Sequence, residues 1–134
     1  MKKFELTSES VTFLGKTLFR IKALVSFGDV AEGELGGFIE RENNLDQSGD
    51  AWVSGDARVQ NCRDYSATSC FGSENRTTTF FRTKDGGISV RCGCFCGTLR
   101  EFREKVKERH GDSRLAKEYL MLADLMEFRL SKDE

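Results

Sequence analysis

The sequence predicts an α+β fold: an N-terminal antiparallel β-sheet with a short solenoid-like turn, followed by a C-terminal two-helix hairpin. Three observations carry that expectation. Apolar residues alternate through Phe19, Ile21, Ala23, Val25 and Phe27, and a period of two marks a strand with one buried face. A six-residue word recurs, Gly49-Asp50-Ala51-Trp52-Val53-Ser54 and then Gly55-Asp56-Ala57-Arg58-Val59-Gln60; hexads of this kind form the sides of β-solenoid coils. From Leu99 onward the apolar spacing becomes three and four residues, through Leu99, Phe102 and Val106 and then Leu115, Tyr119, Leu122 and Met126. That is the stripe of an amphipathic helix.

The elements follow in order. Phe4, Leu6, Val11 and Phe13 surround a Thr-Ser-Glu-Ser turn signal, so residues 4–13 read as a hairpin. Gly28-Asp29 ends the alternating strand, and Gly33, Gly36 and Gly37 bracket a loop that leads into Phe38-Ile39. Val53, Val59, Tyr65 and Phe71 continue the six-residue spacing, although Gly-Asp-Ala is lost after the second copy. Two copies supply less than a three-sided coil, and a hairpin whose strands share a word is the alternative. Residues 76–96 read as a second hairpin, with Lys84-Asp85-Gly86-Gly87 as its turn. On its return strand Ile88, Val90, Cys92, Cys94 and Cys96 are expected on one face, and Ser89, Arg91 and Phe95 on the other. Thr98 with Glu101 three residues on is a capping box for the first helix. Gly111 suits a left-handed C-terminal cap, and Asp112-Ser113 opens the second helix. The chain reads as a single domain over 1–134, with a β-rich part over 1–96 and the helical hairpin over 97–131.

Bulk properties exclude several classes. With 134 residues the chain can bury a core without disulfide or metal staples. Basic and acidic side chains number 21 and 22, so a general nucleic-acid binder is disfavoured, because counterion release needs a basic surplus. No apolar run approaches the ~20 residues of a membrane span. Met1-Lys2-Lys3-Phe4-Glu5 is followed by no apolar segment, which reads as no signal peptide. The five cysteines, an odd number, then suggest free thiols in a reducing, cytoplasmic setting.

Few residues offer catalytic chemistry. Cys92, Cys94 and Cys96 are spaced for one strand face rather than for a zinc knuckle, and buried cysteine packs as a small hydrophobe. Core packing is therefore preferred, with no metal and no cofactor. His110, the single histidine, sits at a helix C-terminus, where the dipole favours an imidazolium; a general base is the minority reading. Nucleophile-elbow, Walker and dinucleotide motifs are absent from the sequence, so the expectation is a binding protein and not an enzyme. The constellation that suits a ligand is Asn75, Arg76, Arg91, Phe95, Thr98, Arg100 and Arg103. A helix N-terminus at Thr98 presents free amides to phosphate. Arg100 and Arg103 oppose the dipole there, a local cost that an anion would offset. Asn75 could read a base edge, and Phe95, on an exposed strand face, could stack on a purine. The competing reading is a solvated helix face with Arg-Glu pairs.

The front of the chain resembles a family common in phage and prophage genomes. The matching words are Leu18-Phe19-Arg20-Ile21-Lys22-Ala23-Leu24, Phe27-Gly28-Asp29-Val30, Gly33-Glu34-Leu35-Gly36-Gly37-Phe38-Ile39-Glu40 and Glu42-Asn43-Asn44-Leu45, leading to Gly-Asp-Ala-x-Val repeats. Longer relatives extend these repeats into a solenoid, whereas this chain stops after two. The whole layout is similar to the Thoeris anti-defence sponges. That resemblance implies sequestration, without cleavage, of cyclic ADP-ribose isomers or cyclic oligonucleotides. It also implies a homo-oligomer, dimeric or larger, with pockets at subunit contacts, in a bacterial host's cytoplasm. A direct protein-binding inhibitor of the anti-CRISPR type and a structural solenoid cap are the alternatives.

Overall fold

A computed structural model describes residues 2–71, 76–92 and 95–131. Its strands are β1 (Phe4–Phe13), β2 (Lys16–Ala23), β3 (Leu35–Ile39), β4 (Arg58–Val59), β5 (Tyr65–Phe71), β6 (Arg76–Arg82), β7 (Ile88–Cys92) and β8 (Phe95–Thr98). The helices are α1 (Leu99–His110) and α2 (Arg114–Leu130). The strands form two four-stranded sheets in sequence order, β1–β4 and β5–β8. The fold is α+β and closes with the expected two-helix hairpin.

Several local expectations change. Residues 4–13 are one strand, not a hairpin; the turn falls at Leu14-Gly15, and β1 pairs with β2 from Phe4↔Ala23 to Phe13↔Lys16. The Thr-Ser-Glu-Ser signal marks a register shift between Leu6 and Ser10 instead, a bulge in an edge strand. The alternation at Phe19–Phe27 outruns its strand, since β2 ends at Ala23 and Phe27 pairs locally with Val30.

The repeat has a specific geometry. β4 lies parallel to β3, with Phe38↔Arg58 and Ile39↔Val59. The Gly37 amide donates to the Val53 carbonyl, and the Phe38 amide donates to that of Ala57. Equivalent repeat positions face inward: Ala51 and Ala57 are buried, as are Val53 and Val59. Gly49 and Gly55 both have positive φ, +73° and +56°, which glycine adopts without the Cβ clash. Gly36 and Gly37 let the repeat approach β3. A Cβ on Gly36 would sit 2.6 Å from the Val53 carbonyl oxygen, and one on Gly37 2.5 Å from the Ala57 Cβ. Beyond Val59 the hexad no longer governs, because Tyr65 and Phe71 belong to an antiparallel strand.

The two cores meet across β6. Phe81 points into the first, among Phe4, Ile21, Ile39, Trp52, Val53 and Val59. Phe80 points into the second, among Val90, Phe102, Val106, Tyr119, Leu122 and Met126. Adjacent strand residues face opposite ways, so the second sheet is covered on both faces. Each phenylalanine is fully buried and contributes roughly 1.5–3 kcal/mol.

The cysteine strand is not continuous. β7 ends at Cys92, β8 begins at Phe95, and the two are antiparallel with Cys92↔Phe95 and Arg91↔Cys96 opposite one another. Cys94 lies outside the described residues. Opposed residues share a face, so Cys92 goes with Phe95 and Cys96 with Arg91, contrary to the expected arrangement. A period-two pattern reads the same whether a strand continues or folds back, and Gly93 is the one break signal in the run.

The helices start as expected. The Glu101 amide donates to Thr98 Oγ1 at 3.1 Å, and the Thr98 amide donates to Glu101 Oε1 at 2.8 Å. Ser113 caps α2 through the Ala116 amide at 3.2 Å. Gly111 departs from the expected left-handed cap: its φ is +57° but its ψ is −123°.

Candidate functional site

The residues expected to hold an anion are separated by the fold. Asn75 and the Arg76 side chain lie outside the described residues. Arg91 is mostly buried and faces the first sheet. It donates to Glu34 Oε2 at 2.7 Å and to the Asp29 carbonyl at 3.0 Å. Burial pushes the Glu34 carboxyl up, but the Arg91 hydrogen bond, the Ala31 amide and the Arg91 charge outweigh it and hold it below the usual range. Arg91 therefore ties the two sheets together. Phe95 is on the other face, half-buried 6.0 Å from the Phe102 ring, instead of open for stacking.

The α1 start is also occupied. Thr98 is engaged in its capping box with Glu101. Arg103 donates to Asp124 Oδ1 and Glu127 Oε1, both at 2.7 Å, and so clasps α2. Burial works against its charge, but the bonds to Glu127 and Asp124 raise its pKa further. Arg100 is 89% exposed and 3.6 Å from Glu104. The groove here has a volume of about 610 Å³, and Asp85 and Glu127 line it beside Arg100 and Arg103. Two cations face two carboxylates, which leaves no charge surplus for a ligand.

A second groove of about 610 Å³ lies at the same end of the hairpin and shares Ser131 with the first; it is found where α2 ends against β5 and β6, and is lined by Arg63, Arg82, Arg129, Leu125, Phe128 and Ser131. Each arginine arrives for a local reason. Arg82 ends β6, where its Nε donates to the Leu130 carbonyl at 2.8 Å and its Nη1 to Asp64 Oδ1 at 2.9 Å. A cation on these last carbonyls also suits the helix dipole. Asp64 is buried, and its other oxygen accepts from the Gln60 amide at 2.8 Å and the Asn61 amide at 3.3 Å. Its carboxylate is thus fully engaged. Arg129, in the last turn of α2, donates to Ser66 Oγ at 2.9 Å. Arg63 is exposed in the one-turn 3-10 helix Cys62–Asp64.

Neither Arg63 nor Arg129 makes an ion pair among the described residues, so within them the cleft has two guanidiniums without a carboxylate. Phe128 stands beside them, 83% exposed, with Leu125 at 56% and Met121 at 71% continuing the stripe along α2. An exposed ring next to free guanidiniums can cover a flat ligand while the charges hold its phosphate.

Sequence reasoning missed this cleft because its residues are far apart in the chain and form no motif. Phe128 and Met121 carried the available signal: they sit off the Leu115–Tyr119–Leu122–Met126 stripe, on the outer side of α2. His110, at the end of α1, stacks on Tyr119 with ring centroids 5.7 Å apart. Cys92 and Cys96 are free thiols, with Cys92 accepting from Thr78 Oγ1 and Cys96 3.0 Å from Ser54 Oγ. No three metal-ligating side chains cluster among the described residues. No helix among them is long and apolar enough to cross a membrane. No family model, curated protein or solved structure matches the chain significantly.

Proposed function

We propose that the protein captures a cyclic nucleotide signal without cleaving it, in the cleft of Arg63, Arg82, Arg129 and Phe128. The carrying observation is the pair of guanidiniums, Arg63 and Arg129, with no carboxylate partner among the described residues beside an 83% exposed phenylalanine. A cleft of this size falls in the range that holds small ligands. Arginine forks suit phosphate oxygens, and Phe128 offers a face for a base. The likeness to anti-defence sponges supports the ligand class, cyclic ADP-ribose isomers or cyclic oligonucleotides, and a setting in the cytoplasm of an infected bacterium. Capture is stoichiometric, so affinity and abundance set the effect.

The oligomer that the resemblance implies would form through the same helix. Met121 and Leu125 continue the exposed apolar stripe beside Phe128, and a symmetric pair of α2 helices would bury them on both copies at once and leave the Phe128 ring to the ligand. Sedimentation should give a dimer at micromolar concentration, and Met121→Ser should shift it toward monomer. The same stripe favours the second reading, a direct inhibitor of a defence protein.

One experiment separates the readings. The purified protein is mixed with each nucleotide signal, washed and heated, and the released material is weighed by mass spectrometry. Intact ligand is the expected result. Degraded ligand would make the protein an enzyme, and no ligand would leave the protein-partner reading.

A further inference from the structure

The turn between β1 and β2 overhangs a smaller cleft of about 220 Å³, on the far side of Arg82 from the α2 groove. We propose that this cleft is a second binding site, for a phosphomonoester carried on a flat apolar body, with Arg58 holding the phosphate and Leu14 covering the body. Two independent observations carry the assignment.

The first is Leu14. Among the described residues it is the one non-glycine with positive φ, at +51°. It is also 73% exposed. A two-residue hairpin turn is ordinarily made by Asn-Gly or Asp-Gly, which take positive φ readily. Leucine there brings the fold neither burial nor backbone ease, and such strain collects where a side chain has a task outside the fold. Leu14 and Phe13 form the apolar wall of this cleft. The wall is held in place, since Gln60 Nε2 donates to the Phe13 carbonyl at 3.3 Å.

The second is Arg58. Its guanidinium lies 4.7 Å from the Phe38 ring centroid and donates to the Ala57 carbonyl at 2.9 Å, so its direction is set in advance. It makes no ion pair among the described residues. Arg20 shares the Phe38 ring at 4.6 Å. Burial lowers the Arg58 pKa; Asp56 and Asp85 pull it up, and the Arg20 charge pushes it down. A bound anion relieves both the burial cost and the like-charge repulsion. Arg82 and Lys84 line the same cleft but are paired with Asp64 and Asp56, which leaves Arg58 as its cation without an ion pair among the described residues. Of its two carboxylates, Asp64 is engaged by Arg82, while Asp85 makes no ion pair among the described residues. That remaining acid favours a single phosphate over a polyphosphate chain. The volume holds a phosphate and part of a ring, which leaves the rest of the body against Leu14.

The test is a nuclear magnetic resonance titration of the full chain with adenosine 5′-monophosphate and, separately, inorganic phosphate. The Leu14 methyl groups and the Arg58 Nε–H are followed. The monophosphate should shift both, and inorganic phosphate should shift Arg58 alone. Arg58→Ala should raise the Kd at this site at least about tenfold. Leu14→Gly should raise it several-fold with Tm equal to or above the parent's, because glycine takes this φ without strain. Arg129→Ala should leave this Kd unchanged, so that failure here and failure of the α2 cleft are read separately. Absence of shifts at millimolar monophosphate would overturn the proposal. So would parent-like binding by both the Arg58 and Leu14 variants, or a Leu14→Gly protein that melts lower and loses affinity only in proportion.

Discussion

The groove at the start of α1 and the groove at the end of α2 share Ser131 as a wall residue, and both contain arginines, but the arginines have different company. At the α1 start, Arg103 is held between Asp124 and Glu127, and Arg100 is beside Glu104. At the α2 end, Arg82 is matched by Asp64, and Arg63 and Arg129 meet no carboxylate among the described residues. Counting arginines therefore does not locate an anion site; the free ones are those whose neighbours in space, not in sequence, lack acids. The α1 groove is a helix clasp, and among the described residues the α2 groove has charge to spare.

The largest expected effect tests the α2 side directly. Arg63→Ala with Arg129→Ala should weaken capture of a nucleotide signal by two decades or more, since each charge-assisted hydrogen bond is worth roughly 1.5–3 kcal/mol. Thermal melting should barely change, because among the described residues the pair gives up a single side-chain hydrogen bond, to Ser66. Calorimetric titration and melting of the same variant check both halves. Parent-like affinity would remove the distinction between the two grooves.

The next effect sets the pH at which such melts are compared. Lys3 is buried, and its ammonium donates to the Gly49 carbonyl at 3.2 Å and the Ala51 carbonyl at 2.8 Å. Burial lowers its pKa to about 8, against the pull of Asp46 and Asp50. The unfolded chain keeps the ordinary value of 10.5. Between those two values the unfolded state holds more protons, so this group makes stability rise with pH through that window. The gain is at most about 3 kcal/mol. Denaturant titrations at pH 7.5 and pH 10, with Lys3→Met as the reference, should show the rise in the parent and not in the variant.

Smaller effects sharpen the α1 side. Arg103→Ala should cost about 1 kcal/mol, since its two acids are largely exposed and solvent screens the pairs. For a chain of this size that lowers Tm by about 3–5 °C. Ligand capture should be unchanged, and a drop in affinity without a drop in Tm would restore the α1 groove as the site. Arg100→Ala should change neither quantity measurably, because its side chain is 89% exposed.

Much of the fold was legible from local rules. The capping box at Thr98–Glu101, the stripe of Leu99, Phe102 and Val106, and the Gly-Asp corners each follow from chemistry within six residues. The return of the chain after Cys92 was not legible, and it moved Phe95 against Phe102 and Arg91 against Glu34. Period two assigns faces only within one strand. A fold-back resets the assignment, and with it the expected sharing of one face by Arg91 and Phe95.

The sequence by itself determined the class: a charge-balanced α+β chain with a two-copy hexad and two capped amphipathic helices, because period, caps and turn residues act over short distances. Tertiary structure decided that Phe80 and Phe81 serve different cores and that Arg103 meets Asp124 and Glu127. It also decided that Arg63, Arg82 and Arg129 converge on one cleft. Charges near in space screen or repel one another whatever their separation along the chain, so which arginines remain free is settled only when the helices and sheets have packed.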